Sequence, residues 1–100
     1  MKKVYSVIYY EDVEDMGATA YCLGVFTTKE KAVKKMHESF TKTKESKIAA
    51  EIEPIEGYNG EDNFTSEGGD LDFSKSEDYC RILFYFDWYE WRLDEWELDE

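Results

Sequence analysis

The sequence predicts an α+β fold: a two-layer sandwich in which one helix packs on a mainly antiparallel, four-stranded sheet, in the order β-β-α-β-β. Three observations predict it. Two runs rich in β-branched and aromatic residues, 3–10 (KVYSVIYY) and 18–26 (ATAYCLGVF), open the chain. A lysine-rich stretch with apolar residues at helical spacing follows them. The most strongly apolar run, 78–89 (DYCRILFYFDWY), lies near the end. A chain of 100 residues buries roughly 65% of its unfolded surface on folding, which is enough for one modest core, so residues 1–100 read as a single domain.

Residues 3–10 read as a strand, nearly apolar on both faces. The acidic stretch from Glu11 to Gly17 reads as a long polar connection to the second strand, 18–26, in an antiparallel hairpin. Thr27-Thr28-Lys29-Glu30 opens a helix: Thr27 can cap it, Glu30 can reach back in a capping box, and Phe26 can pack on the first turns. Ala32, Val33, Met36 and Phe40 form one apolar stripe, opposite Lys29, Lys31, Lys34, Lys35, Lys42 and Lys44, and the helix is expected to end near Lys44 to Ser46. Residues 47–53 (KIAAEIE) alternate and read as a half-buried strand closed by Pro54. Residues 57–77 read as a long acidic, glycine-rich loop, in which Phe64, Leu71 and Phe73 hint at a return to the core. The run 78–89 reads as a single central strand, and from Trp88 to Glu100 the spacing fits a strand extension and a helix equally well.

Charge is the most informative functional feature. The chain carries 24 acidic and 12 basic residues, net −12. Residues 1–47 hold nine lysines and seven acids, net +2, whereas residues 48–100 hold three bases and 17 acids, net −14. A chain this acidic is not expected to bind nucleic acid or an anionic membrane directly. No apolar run approaches the roughly 18 residues of a membrane span, and Met1 to Ser6 lacks the pattern of a signal peptide, so the cytoplasm is the expected location.

The acids concentrate in two places. Glu61, Asp62, Glu67, Asp70 and Asp72 lie in the 57–77 stretch, and Asp87, Glu90, Asp94, Glu95 and Glu97 interleave with Trp88, Trp91 and Trp96. Tryptophan is costly to leave in water and is enriched at interface hot spots. Same-face carboxylates on an extended strand lie roughly 6.7 Å apart, a regular row of negative charge such as a nucleic-acid backbone presents. These thirteen residues are the candidate contacts for a basic partner, the carboxylates steering and pairing and the tryptophans anchoring.

Catalytic and metal-binding signatures are missing. His37 stands among helical lysines, and Cys22 and Cys80 lack a nucleophile signature and read as small buried thiols. Gly68-Gly69 is followed by no phosphate-loop lysine. Asp70-x-Asp72-x-Ser74-x-Ser76 resembles the start of a calcium loop, but Lys75 occupies the glycine position and Arg81 the closing glutamate. No cofactor, metal or enzymatic activity is therefore expected.

Val4-Tyr5-Ser6-Val7-Ile8-Tyr9-Tyr10, leading to Gly24-Val25-Phe26-Thr27-Thr28-Lys29-Glu30-Lys31-Ala32, looks like the strand-hairpin-helix opening of small bacterial and phage proteins. In size, acidity and lack of catalytic motifs the chain also resembles phage-encoded anti-CRISPR and anti-restriction inhibitors, a likeness of composition that assigns no residue a role. It implies a non-enzymatic inhibitor whose acidic surface blocks a nucleic-acid-binding complex. Two other readings fit the residues. One is a small-ligand domain with a pocket between helix and sheet lined by Tyr5, Tyr9, Tyr21 or Tyr85. The other is an oligomer, for instance a homodimer, in which the tryptophan strand pairs with its own copy and the acidity serves only solubility.

Overall fold

The computed structural model describes residues 2–98. It is an α+β fold with one helix and one antiparallel sheet, but the sheet has six strands rather than four. In chain order they are β1 (Lys2–Val13), β2 (Gly17–Phe26), helix α1 (Lys29–Ala49), β3 (Phe64–Thr65), β4 (Leu71–Lys75), β5 (Tyr79–Phe84) and β6 (Asp87–Leu98). The spatial order is β2-β1-β6-β5-β4-β3. Residues 99 and 100, the end of the ambiguous tail, lie outside the described residues.

Each departure from expectation has a local cause. The first hairpin is tighter than expected: β1 runs to Val13, and a turn with Asp15 and Gly17 at positive φ leads into β2. The helix is capped by Thr28, whose hydroxyl accepts the Lys31 N–H at 3.3 Å, one residue later than expected. It runs past Ser46 because its buried stripe continues: Ala32, Met36 and Phe40 are followed one turn on by Lys44, also buried, and then by half-buried Ile48. The alternation of 47–53 is thus the last helical turn followed by an irregular segment, not a strand.

The 57–77 stretch is an edge of the sheet as well as a loop. Leu71 and Phe73 are buried while Asp72 and Ser74 face away, and Phe64 pairs with Phe73. The run 78–89 is two strands. Between Phe84 and Asp87 the chain reverses over Tyr85 and Phe86, with Tyr85 at φ 58. Glycine normally takes the first position of such a turn, so two aromatics give no sequence signal for it. The tail is strand: β6 pairs with β1 from Trp88 to Leu98 but with β5 only from Asp87 to Arg92, so its first half, with Trp88 and Trp91, is internal to the sheet and its second half, with Trp96, has a neighbour on the β1 side alone.

Strand alternation sorts the side chains into two faces. Val7, Leu71, Phe73, Cys80, Ile82, Phe84, Tyr89 and Trp91 point to α1 and close the core with Ala32, Met36 and Phe40. Trp91 is its keystone: fully buried, its indole N–H donates to Ser39 Oγ at 2.9 Å, and its ring meets Phe40 edge-on at 5.7 Å and Tyr9 at 5.0 Å. No second layer covers the opposite face. The surface is 6689 Å², above the roughly 5,900 Å² typical of this mass, in keeping with a one-sided sheet and an elongated molecule 54 Å in its greatest extent.

Candidate functional site

The irregular segment after α1, the β3–β4 turn and the β5–β6 turn meet at one end of the sheet. They enclose a groove of about 500 Å³. Five carboxylates line it, from Glu51, Glu53, Glu56, Glu67 and Asp70, with no lysine or arginine among its walls. Phe64, Leu71 and Ile55 form the apolar floor. The β5–β6 turn is tied to the groove at two points. The Tyr85 N–H donates to the Asp70 carbonyl at 2.7 Å, and the Tyr85 hydroxyl donates to Glu51 Oε2 at 3.0 Å. That hydroxyl's pKa is raised, first by its bond to the Glu51 carboxylate and then by burial. Phe86, which follows Tyr85, is 79% exposed, and Ile52, between Glu51 and Glu53, is fully exposed.

The walls hold their places through an internal ion cluster. The Lys44 ammonium donates to Asp62 Oδ1 at 2.7 Å and to the Glu61 carbonyl at 3.3 Å, and Lys75 reaches Asp62 Oδ2 at 3.1 Å. Burial works against the charge on Lys44, but Asp62 and Tyr58 together outweigh it, so the pKa of Lys44 is raised; Lys44 in turn holds the Asp62 carboxyl below its usual range. The Asn63 side chain accepts the Lys75 N–H at 3.0 Å, and Tyr58 packs edge-on against Phe64 and Phe73. The loop is therefore fastened to α1 and β4.

The residues expected to contact a partner are dispersed by this arrangement. Glu67 and Asp70 are exposed and line the groove. Glu61 is exposed, but its carboxylate accepts the Asn59 N–H and its carbonyl serves Lys44. Asp62 is the centre of the internal cluster, and Asp72 is paired with Arg81 and accepts the Thr65 hydroxyl. Asp87 accepts the Glu14 N–H at 3.0 Å, joining two turns.

On β6 the alternation divides the tail. Trp88, Glu90, Asp94 and Trp96 face the open side, with Arg92 between the two acids, so the expected unbroken row of carboxylates does not form. Glu90 accepts the Tyr79 hydroxyl at 2.7 Å; burial and then this carboxylate push that phenol up to about 12. Trp88 is half-buried with the Arg81 guanidinium 5.4 Å from its ring. Trp96 lies over Ser6, donating to its hydroxyl at 2.9 Å, and is 54% exposed. Glu95 and Glu97 point to the other side, where Glu95 pairs with Lys3 at 3.6 Å. Trp91, with no exposed surface, is a core residue and cannot anchor a partner in the folded protein.

Sequence reasoning passed over Glu51, Glu53, Glu56 and Phe86, and named Tyr85 only for a ligand pocket between helix and sheet. The acids sat in a presumed strand and its exit, and the aromatics in the middle of a presumed single strand. Of the four tyrosines considered for a ligand pocket between helix and sheet, Tyr9 lines a depression of about 480 Å³ between α1 and the sheet, with Lys42, Lys47 and Tyr89, whereas Tyr21 stacks on Tyr9 at 6.1 Å outside it and Tyr85 is on the β5–β6 turn. Cys22 is exposed, against expectation, and Cys80 is buried, its thiol pushed up to about 11 by that burial. Among the described residues no cluster of His, Cys, Asp or Glu could hold a metal ion, and no helix is long and apolar enough to cross a membrane. No family model, no curated protein and no solved structure matches the chain.

Proposed function

We propose that this is a non-enzymatic binding protein that docks its acidic groove and the aromatic turn beside it on a basic protein surface of the kind that otherwise holds nucleic acid. The observation that carries this reading is the groove itself: five carboxylates without a lysine or arginine among its walls, beside exposed Tyr85, Phe86 and Ile52. Asp62 is matched by two lysines and Asp72 by Arg81, whereas the groove gathers five carboxylates with no cation among its walls, which is what a cationic partner meets. Carboxylates of that density steer a basic surface into encounter, and the two aromatics of the turn supply apolar anchors. The inhibitor reading, of the anti-CRISPR or anti-restriction type, follows if the basic surface is one that binds DNA or RNA, since the groove and the polyanion then compete for the same cations.

The test is capture on the immobilised protein from bacterial lysate, eluted with a salt gradient, beside the variant E53K/E56K/E67K. The expected result is a nucleic-acid-binding complex released at moderate salt, displaced by added DNA or RNA, and not retained by the variant. Retention indifferent to salt and to the three reversals, or no retention at all, removes the proposal and leaves the acidity to solubility.

A further inference from the structure

The two edges of the sheet are built differently. β3 is two residues long and offers almost no template for another strand. β2 is ten residues long, pairs only with β1, and is exposed along most of its length, with Tyr21 48% and Val25 63% exposed. From Met16 to Thr28 the chain carries no charge, although 36% of its residues are charged overall. Soluble proteins usually blunt a long edge with lysine, proline or bulges. β2 has neither lysine nor proline. Its single irregularity is the bulge at Leu23, where Val7 lies opposite Gly24 and Ile8 opposite Cys22, and this leaves Gly17 to Cys22 as a regular run.

We infer that β2 pairs antiparallel with β2 of a second copy, joining two six-stranded sheets into one continuous twelve-stranded sheet. Two molecules of net charge −12 repel one another over most approaches, and β2 is the long edge along which neither brings charge to the contact. The flanks are self-complementary in the antiparallel sense only. The Gly17 end of β2 is preceded by Glu14 and Asp15, and the Phe26 end is followed by Lys29, Glu30 and Lys31, of which Lys29 already pairs with Glu77, so a two-fold axis across the strand sets the acidic flank of each copy beside the net-positive flank of the other. A parallel partner would oppose like charges at both ends. A basic peptide would find along the strand only backbone and neutral side chains, whereas a second β2 matches it in length, neutrality and flank charge. This edge lies at the opposite end of the sheet order from the groove, so the inference stands independently of the function proposed above.

The experiment is sedimentation velocity over a concentration series for the wild type, A18K/A20K and E53Q/N59K. Ala18 and Ala20 are exposed on β2, and the third protein makes the same charge change away from the edge. The wild type and E53Q/N59K are expected to dimerise alike, and A18K/A20K to dimerise at least about tenfold more weakly, because like charges meet across the new ladder. Hydrogen exchange reads the edge directly in the wild type: amides of 17–26 should gain protection with protein concentration, while those of β4 should not. A wild type monomeric throughout the series, a dimer that A18K/A20K leaves intact, equal weakening by E53Q/N59K, or β2 protection independent of concentration each overturns the inference.

Discussion

Replacing Asp62 by alanine separates an acid offered to a partner from an acid that holds the fold together. Lys44 is 5% exposed, and its ammonium has the Asp62 carboxylate at 2.7 Å, the Glu61 carbonyl at 3.3 Å and the rings of Phe40 and Tyr58 at 5.9 and 5.8 Å. D62A leaves that charge with one carbonyl and two ring faces. Breaking a fully buried pair costs roughly 3–5 kcal/mol, and an exposed pair contributes about 0–1 kcal/mol. The side chain of Lys44 is 7% exposed but that of Asp62 is 39% exposed, so water reaches the vacated site from one side. An intermediate cost of about 2 kcal/mol follows. At about 4–8 °C per kcal/mol for a domain of this size, Tm should fall by roughly 8–16 °C. The assay is urea and thermal unfolding followed by far-UV circular dichroism at pH 7, for D62A, K44M and the double variant. K44M removes the stranded charge, so the double variant should recover at least about half of the D62A loss. A D62A protein within about 0.5 kcal/mol of wild type, or a double variant that loses the full sum of both single changes, refutes the reasoning.

Trp91→Ala should cost roughly 3–5 kcal/mol in urea unfolding and Trp96→Ala at most about half as much, since only the first is fully buried; equal losses would contradict the burial. With a thiol reagent such as Ellman's, Cys22 should react at once and Cys80 only as fast as the protein opens, so two equivalents in the first phase would overturn the assignment. Asp62 and Glu77 have folded pKa values below their ordinary ones, held there by Lys44 and Lys29 respectively. The stability they lend is present above the unfolded carboxylate range and is lost as pH falls through the lowered folded values. The urea midpoint should therefore fall below about pH 4, and less steeply in D62A; an unchanged slope would count against the coupling.

The fold class, the first hairpin and the helix stripe were legible because each rests on a local signal: β-branched and aromatic runs at 3–10 and 18–26, and a spacing of four for Ala32, Met36 and Phe40. The helix end was not, because a buried lysine occupies the next position of the stripe and reads as polar until Asp62 is seen beside it. β4 was hidden by Asp72, an unfavourable strand residue that Arg81 from the neighbouring strand neutralises. The β5–β6 turn was hidden because Tyr85 adopts a positive φ without the glycine or asparagine that usually marks it. Glu67 and Asp70 of the candidate site were found from the acidic bias alone. Their companions Glu51, Glu53 and Glu56 come from a distant segment, and only the return of β4 brings them together. The tail misled because strand alternation divides its acids between two faces, a division that composition does not register.

The ladder between β1 and β6 sets Lys2 opposite Leu98, so the middle of the sheet is a seam between the two ends of the described chain. Each neighbouring hairpin is local, but the seam and Trp91, the residue that fills the core behind it, arrive only with the final strand. On the ribosome, β1 and β2 must wait with an open inner edge while the remaining elements are made, so the sheet closes late and in one cooperative step rather than growing strand by strand. The same adjacency makes a short linker from Leu98 to Lys2 a natural hairpin connection. With new ends opened near Asn59 and Gly60, the sheet would then be assembled from its centre outward.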